Sequence, residues 1–148
     1  MLIGIHPLLT ADLLHAMASM GHGDEVALVD ANFPAASVGR RVIPLPGADS
    51  PQALAAILTV FPLDASAAPA AFTMAVVGDP DAVPAPVAAF VDVFARYGMA
   101  GVEIGKLERP AFYERARRAY AVVRTGEMRK YGNLLLVKGV VNDYAPVR

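Results

Sequence analysis

The sequence predicts a single-domain three-layer α/β/α sandwich over residues 1–148, and three observations carry that prediction. Strand-like runs alternate with helix-period segments along most of the chain, the order that covers a sheet on both faces. The strand candidates are short, mostly apolar runs of the kind buried on two sides in such a sheet. A length of 148 residues provides one core and is too short for two.

Thr10 is the expected N-cap of a first helix, with Asp12 in its first turn, Leu13, Leu14, Met17 and Met20 at helical spacing, and Gly21 as its stop. Glu25 to Asp30 reads as a buried strand that ends in the turn-like Asn32-Phe33-Pro34. Arg41 to Leu45 carries Pro44 with Pro46 beyond it, which restricts it to a sheet edge. Ser50-Pro51 stands in N-cap/N1 order before a helix with Leu54, Ile57, Leu58 and Phe61 on its stripe.

Ala71 to Val77 is expected to be a strand and Pro86 to Tyr97 a helix stopped at Gly98, with loop around Asp79-Pro80-Asp81 and Pro84 between them. Val102 to Leu107 reads as a strand, and Pro110 as N1 of a helix through Phe112, Tyr113, Ala116 and Ala119. Strands at Tyr120 to Arg124 and Leu134 to Lys138 finish the domain, joined by residues 125–133.

Composition removes several function classes. Thirteen Lys plus Arg against fourteen Asp plus Glu gives a net charge of −1, so no overall basic field exists to attract nucleic acid or an anionic membrane. With no cysteine there is no disulfide, thiolate nucleophile or Cys-type zinc site. His6, His15 and His22 lack metal-ligand spacing, and neither a dinucleotide fingerprint nor a phosphate loop occurs, so neither a metal nor a cofactor is expected. Prolines and charges interrupt every apolar run before spanning length, and Met1 to Pro7 has no signal-peptide pattern, so a cytoplasmic protein is expected. Charged residues are only 18% against ~25% typical, and mean hydropathy is +0.43. That excess of apolar surface points to subunit contacts and hence to a homo-oligomer.

Four places carry side chains suited to chemistry. His22 lies between Gly21 and Gly23 just before the first strand, uncrowded and able to exchange a proton near neutral pH, although a histidine there can also simply end the helix. Asp30 stands at the carboxyl end of that strand, where open α/β sheets place ligand crevices; an Asx turn explains it equally well. Arg109 sits at a helix start, where the helix dipole disfavours a cation, so it reads either as a hydrogen-bond fork for a ligand oxygen or for Asp30, or as a solvated surface residue. Tyr131-Gly132-Asn133 offers a phenol and a carboxamide before the last strand, or an ordinary turn. Arg115, Arg117 and Arg118 form the single basic cluster, read as a solvated or intersubunit face.

Taken together, the stretches Leu13-Leu14 through Met20-Gly21-His22-Gly23-Asp24-Glu25, Asp30-Ala31-Asn32-Phe33-Pro34, Phe112-Tyr113-Glu114-Arg115-Ala116, Thr125-Gly126-Glu127 and Tyr131 through Val140 resemble the RbsD/FucU family of sugar mutarotases, in its L-fucose branch. The resemblance implies the RbsD-like sandwich and a cofactor-free enzyme interconverting the α and β anomers of a free monosaccharide, with L-fucose first and ribose or rhamnose as alternatives. It implies His22 as general acid, and Asp30, Arg109, Tyr131, Gly132 and Asn133 as sugar-binding positions. It also implies a ring-shaped homo-oligomer, commonly a decamer, with the active site at a subunit interface completed by the Tyr-Gly-Asn segment of a neighbour.

The chemistry of ring opening fits these residue types. A cyclic hemiacetal opens when its ring oxygen is protonated and its anomeric hydroxyl loses a proton, and closure on the other carbonyl face reverses both transfers. His22 is the expected donor to the ring oxygen, with Tyr131 or Asp30 handling the anomeric proton. A non-catalytic sugar-binding accessory of an uptake system is the rival expectation.

Overall fold

The computed structural model describes residues 1–144, in which five helices lie on the two faces of one six-stranded mixed sheet. The elements are α1 (Ala11–Ser19), β1 (Glu25–Val29), α2 (Ala35–Val38), β2 (Val42–Leu45), α3 (Ser50–Leu58), β3 (Ala71–Met74), α4 (Ala85–Arg96), β4 (Ile104–Leu107), α5 (Arg109–Arg118), β5 (Ala121–Thr125) and β6 (Leu134–Val137). No helix among the described residues is long and apolar enough to cross a membrane.

The strands lie in the order β2-β5-β1-β6-β3-β4. β5 runs parallel to both β1 and β2, and β3 parallel to β4, whereas β6 is antiparallel to its neighbours β1 and β3. β2 is an edge strand, as its proline requires. Side-chain alternation divides the core in two. Val26, Leu28, Leu134 and Leu136 pack with α1, α3 and α4, while Ala27, Val29 and Leu135 pack with α2 and α5. With both faces covered, every side chain of β6 is buried, which is why that strand is an unbroken run of apolar residues.

Local chemistry adjusts several expected boundaries. Asp49, one residue before Ser50, caps α3: its carboxylate accepts from the Gln52 amide at 2.8 Å and Gln52 Oε1 accepts from the Asp49 amide at 3.0 Å, a closed capping box. Ser50 is thereby released and buried elsewhere. α5 begins at Arg109, one residue before Pro110. The turn after Asp30 continues into the four-residue α2, too short to display a helical period. β3 ends at Met74, three residues before the expected end.

The placement of β6 has a direct structural effect on the site. β5 and β6 are consecutive in sequence, but β1 lies between them. The connection from Thr125 to Leu134 therefore passes over the carboxyl end of β1, where Asp30 emerges.

Candidate functional site

Asp30 is 6% exposed, and the crossing connection holds it. Its backbone amide donates to Asn133 Oδ1 at 2.9 Å, and Asn133 Nδ2 donates back to Asp30 Oδ2 at 3.0 Å. The Asn32 amide donates to Asp30 Oδ1 at 3.0 Å, so the Asx turn and the candidate ligand group are one arrangement. Burial pushes the Asp30 carboxyl above its usual range. The hydrogen bonds from Asn32, Asn133 and Phe33 oppose that rise, and the nearby charge of Glu127 adds to it.

A second set of contacts shapes the crossing connection. Glu127 is buried and takes two bonds of 2.8 Å from the Arg129 guanidinium, one of 2.9 Å from the Arg129 amide, and one of 3.3 Å from the Ser50 hydroxyl. The Arg129 side chain is the chief reason its carboxyl is pushed down to about 2, against the opposing effect of burial. Its backbone oxygen accepts from the Ala31 amide at 2.8 Å, tying the connection to the turn after Asp30. Gly132 passes so close to the Glu127 side chain that a Cβ would lie 2.5 Å from its Cγ, so a side chain in the middle of Tyr131-Gly132-Asn133 would push Glu127 out of its place. Tyr131 adopts a left-handed backbone with φ 63°, and its hydroxyl accepts from the Val77 amide at 3.2 Å.

Above Asp30 opens a cavity of about 310 Å³, lined on its polar side by Asp30, Arg109, Lys130, Tyr131 and Asn133. Phe33, Met74 and Tyr113 supply the apolar wall. The volume lies at the small end of the ~300–1,000 Å³ range of ligand clefts. A carboxylate with a raised proton affinity, a phenol, a carboxamide and a guanidinium around aromatic rings provide donors and acceptors for a small polyhydroxyl ligand. Arg109 reaches the cavity from the first turn of α5 and donates to the Tyr113 hydroxyl at 3.3 and 3.4 Å; among the described residues it forms no ion pair, with Asp30 or otherwise.

His22 is elsewhere. It precedes the first residue of β1 and Asp30 follows the last, so the length of that strand separates them, on the order of 15–20 Å at about 3.3 Å per residue. The imidazole is half-exposed, and its Nε2 lies 3.1 Å from Asp64 Oδ2. Of the two flanking glycines, Gly23 takes a positive φ of 84°, while the Gly21 amide donates to Asp24 Oδ2 at 2.7 Å. The fold thus gathers Asp30, Arg109, Tyr131 and Asn133 in one cavity and leaves His22 at the opposite end of β1. Tyr131 and Asn133 line a cavity of their own chain, and it is His22 that lies away from it.

Sequence reasoning missed Glu127 as a support, Tyr113 as cavity wall and Asp64 as partner of His22. Glu127 and Tyr113 stood inside the family-like stretches; Asp64, 42 residues from His22, left no local signal. The basic cluster divides into structural pairs: Arg115 bonds Glu25 and stacks 3.8 Å from the Phe72 ring, while Arg117 and Arg118 pair with Glu114.

Comparison with known proteins adds a second line of observation. Residues 3–141 match the RbsD / FucU transport protein family. The fucose mutarotase from Streptococcus pneumoniae, solved in complex with L-fucose, is 38% identical with a TM-score of 0.88, over 95% of this chain and 99% of that one. FucU from Bifidobacterium longum is 41% identical with a TM-score of 0.84, over 93% and 99%. Protein Atu2016, provisionally described as sugar binding, is 40% identical with a TM-score of 0.91, over 95% and 97%.

Proposed function

The chain belongs to the RbsD/FucU family, and from that membership we propose that it is a cofactor-independent mutarotase acting on a free monosaccharide, with L-fucose as the first substrate to test. The observation that carries the reading is the Asp30–Asn133 cavity. It offers a proton-accepting carboxylate and a ring of hydrogen-bonding groups of a size suited to a single sugar. The likeness to a mutarotase solved with L-fucose supports the choice of sugar.

In this reading Arg109 and Asn133 fix hydroxyls of the sugar, and the Asp30 carboxylate takes the anomeric proton, either directly or through the Tyr131 hydroxyl, which passes its own proton on as it accepts the sugar's. The ring oxygen needs an acid, and within one chain His22 is too far away to supply it. A homo-oligomer, a decamer by family resemblance, meets that need if the His22 of an adjoining subunit reaches this cavity. The small, apolar-rich chain and the half-exposed imidazole support such an assembly. The setting proposed is the cytoplasm, where a free sugar meets the enzymes that consume one anomer.

Magnetisation exchange between the two anomeric protons of L-fucose, measured by NMR with and without protein, tests the proposal. Protein-dependent acceleration supports it. Binding with no acceleration for fucose, ribose, rhamnose or galactose replaces it with a non-catalytic sugar-binding role.

A further inference from the structure

His22 and Asp64 come from two loops that are separately laced to the same end of β6. On one side the Gly23 amide donates to the Lys138 carbonyl at 2.8 Å, the Lys138 amide donates to the Asp24 carbonyl at 2.8 Å, and Lys138 Nζ donates to the carbonyls of Met17 and Met20 at the end of α1. On the other side the Asp64 amide donates to the Val137 carbonyl at 3.0 Å, and the Gly139 amide to the Pro62 carbonyl at 2.8 Å. A Cβ on Gly139 would lie 2.6 Å from the Leu63 carbonyl oxygen and 2.8 Å from Asp64 Cα, so glycine is required for this approach. The 3.1 Å contact between Nε2 and Oδ2 therefore spans two anchored loops.

Asp64 is buried at 8% exposure, and its second oxygen is fully engaged. Oδ1 accepts from the Ser66 amide at 2.9 Å and from the Ser66 hydroxyl at 2.6 Å. These bonds from Ser66, reinforced by His22, hold the Asp64 carboxyl below the usual range, so it stays ionised and can only accept. The other charged groups nearby are committed elsewhere, Asp24 to the Gly21 amide and Lys138 to the carbonyls of α1. The contact with Asp64 thus requires a proton on Nε2, and in a neutral imidazole the lone pair is then on Nδ1.

We propose that Asp64 is the positioning residue of His22: it fixes the ring orientation and holds the proton on Nε2, making Nδ1 the atom that exchanges a proton with the sugar. This rests on the mutarotase reading above and extends it from a residue to an atom. A buried acceptor behind a half-exposed imidazole matches the general pattern of a base oriented by a third group.

The test is magic-angle-spinning ¹⁵N NMR of protein labelled at its three histidines, at a pH where the rings are neutral, with His22 assigned by its loss in His22→Ala. The wild-type protein is expected to show the Nε2–H tautomer at His22. In Asp64→Asn that preference is lost, kcat for anomer exchange falls about tenfold or more with KM little changed, and the double variant is no slower than His22→Ala alone. An Nδ1–H tautomer in the wild type overturns the proposal, and that measurement does not depend on any variant folding. An Asp64→Asn protein with unchanged tautomer and kcat overturns it as well. Wild-type protein with the Nε2–H tautomer but no exchange of any sugar defeats the mutarotase reading, and with it the sugar as proton partner, while leaving the Asp64 lock in place.

Discussion

Asp30 and Asn133 grip one another in both directions: the amide of Asp30 donates to the Asn133 side chain at 2.9 Å, and that side chain donates back to the Asp30 carboxylate at 3.0 Å. Residues 103 apart in sequence are thus joined as closely as two rungs of a ladder. Asn133→Ala leaves a buried amide and a carboxylate oxygen without partners, at a cost of ~1–3 kcal/mol. Urea unfolding should register that loss, and KM for sugar should rise more than kcat falls. Unchanged stability would mean that water replaces both bonds.

Subunit mixing tests whether His22 and Asp30 serve one site from different chains. His22→Ala and Asp30→Asn proteins should each be nearly inactive, and co-assembled mixtures should regain activity, because some sites then receive both intact residues. If both residues act from the same chain, every mixed assembly stays inactive. His22 is half-exposed but partners the buried Asp64, so His22→Ala should cost on the order of 1 kcal/mol, the loss of one hydrogen bond to a carboxylate that water can then reach.

Glu127 predicts a loss of stability in acid. Its folded pKa is lowered from 4.5 to about 2, so its contribution is complete above 4.5 and disappears as pH falls towards 2. The shift corresponds to roughly 3 kcal/mol at most, and less once screening at the half-exposed Arg129 is considered. Urea titrations of wild type and Glu127→Gln should differ by a constant amount above pH 5 and converge below it. A gap independent of pH would show that the contribution is not ionic.

Asp30 predicts the opposite sign. Its carboxyl is raised above 3.8, so the folded protein holds this proton more firmly than the unfolded chain, and stability declines as pH climbs from 3.8 through the folded value. Asp30→Asn should therefore gain on the wild type as pH rises across that window, while losing sugar turnover. A gain in the reverse direction would contradict the raised proton affinity.

Much of the fold was legible because its signals are local. Thr10 caps α1 as expected, with its hydroxyl accepting from the Leu13 amide at 3.3 Å, and the stripe of α3 is buried where its spacing placed it. The direction of β6 was not legible, since a run such as Leu134 to Val137 reads the same whether it lies parallel or antiparallel. For the site, the residue types and the carboxyl-end position of Asp30 could be read directly, and so in principle could the distance of His22, because the strand between them was visible. The supports could not. Glu127 and Asp64 act through folded loops, and no spacing rule links Ser50 to Glu127 or His22 to Asp64.

The position of the last strand has a further consequence, for how the protein is made. β6 is the wedge that joins β2-β5-β1 to β3-β4, yet it follows all five of those strands in the sequence and leaves the ribosome after them. Until it arrives, the nascent polypeptide holds two strand groups with open edges, which are templates for aggregation. A chain that stops short of Leu134 would therefore lack more than one strand's worth of sheet: the two halves of the molecule would stay unjoined.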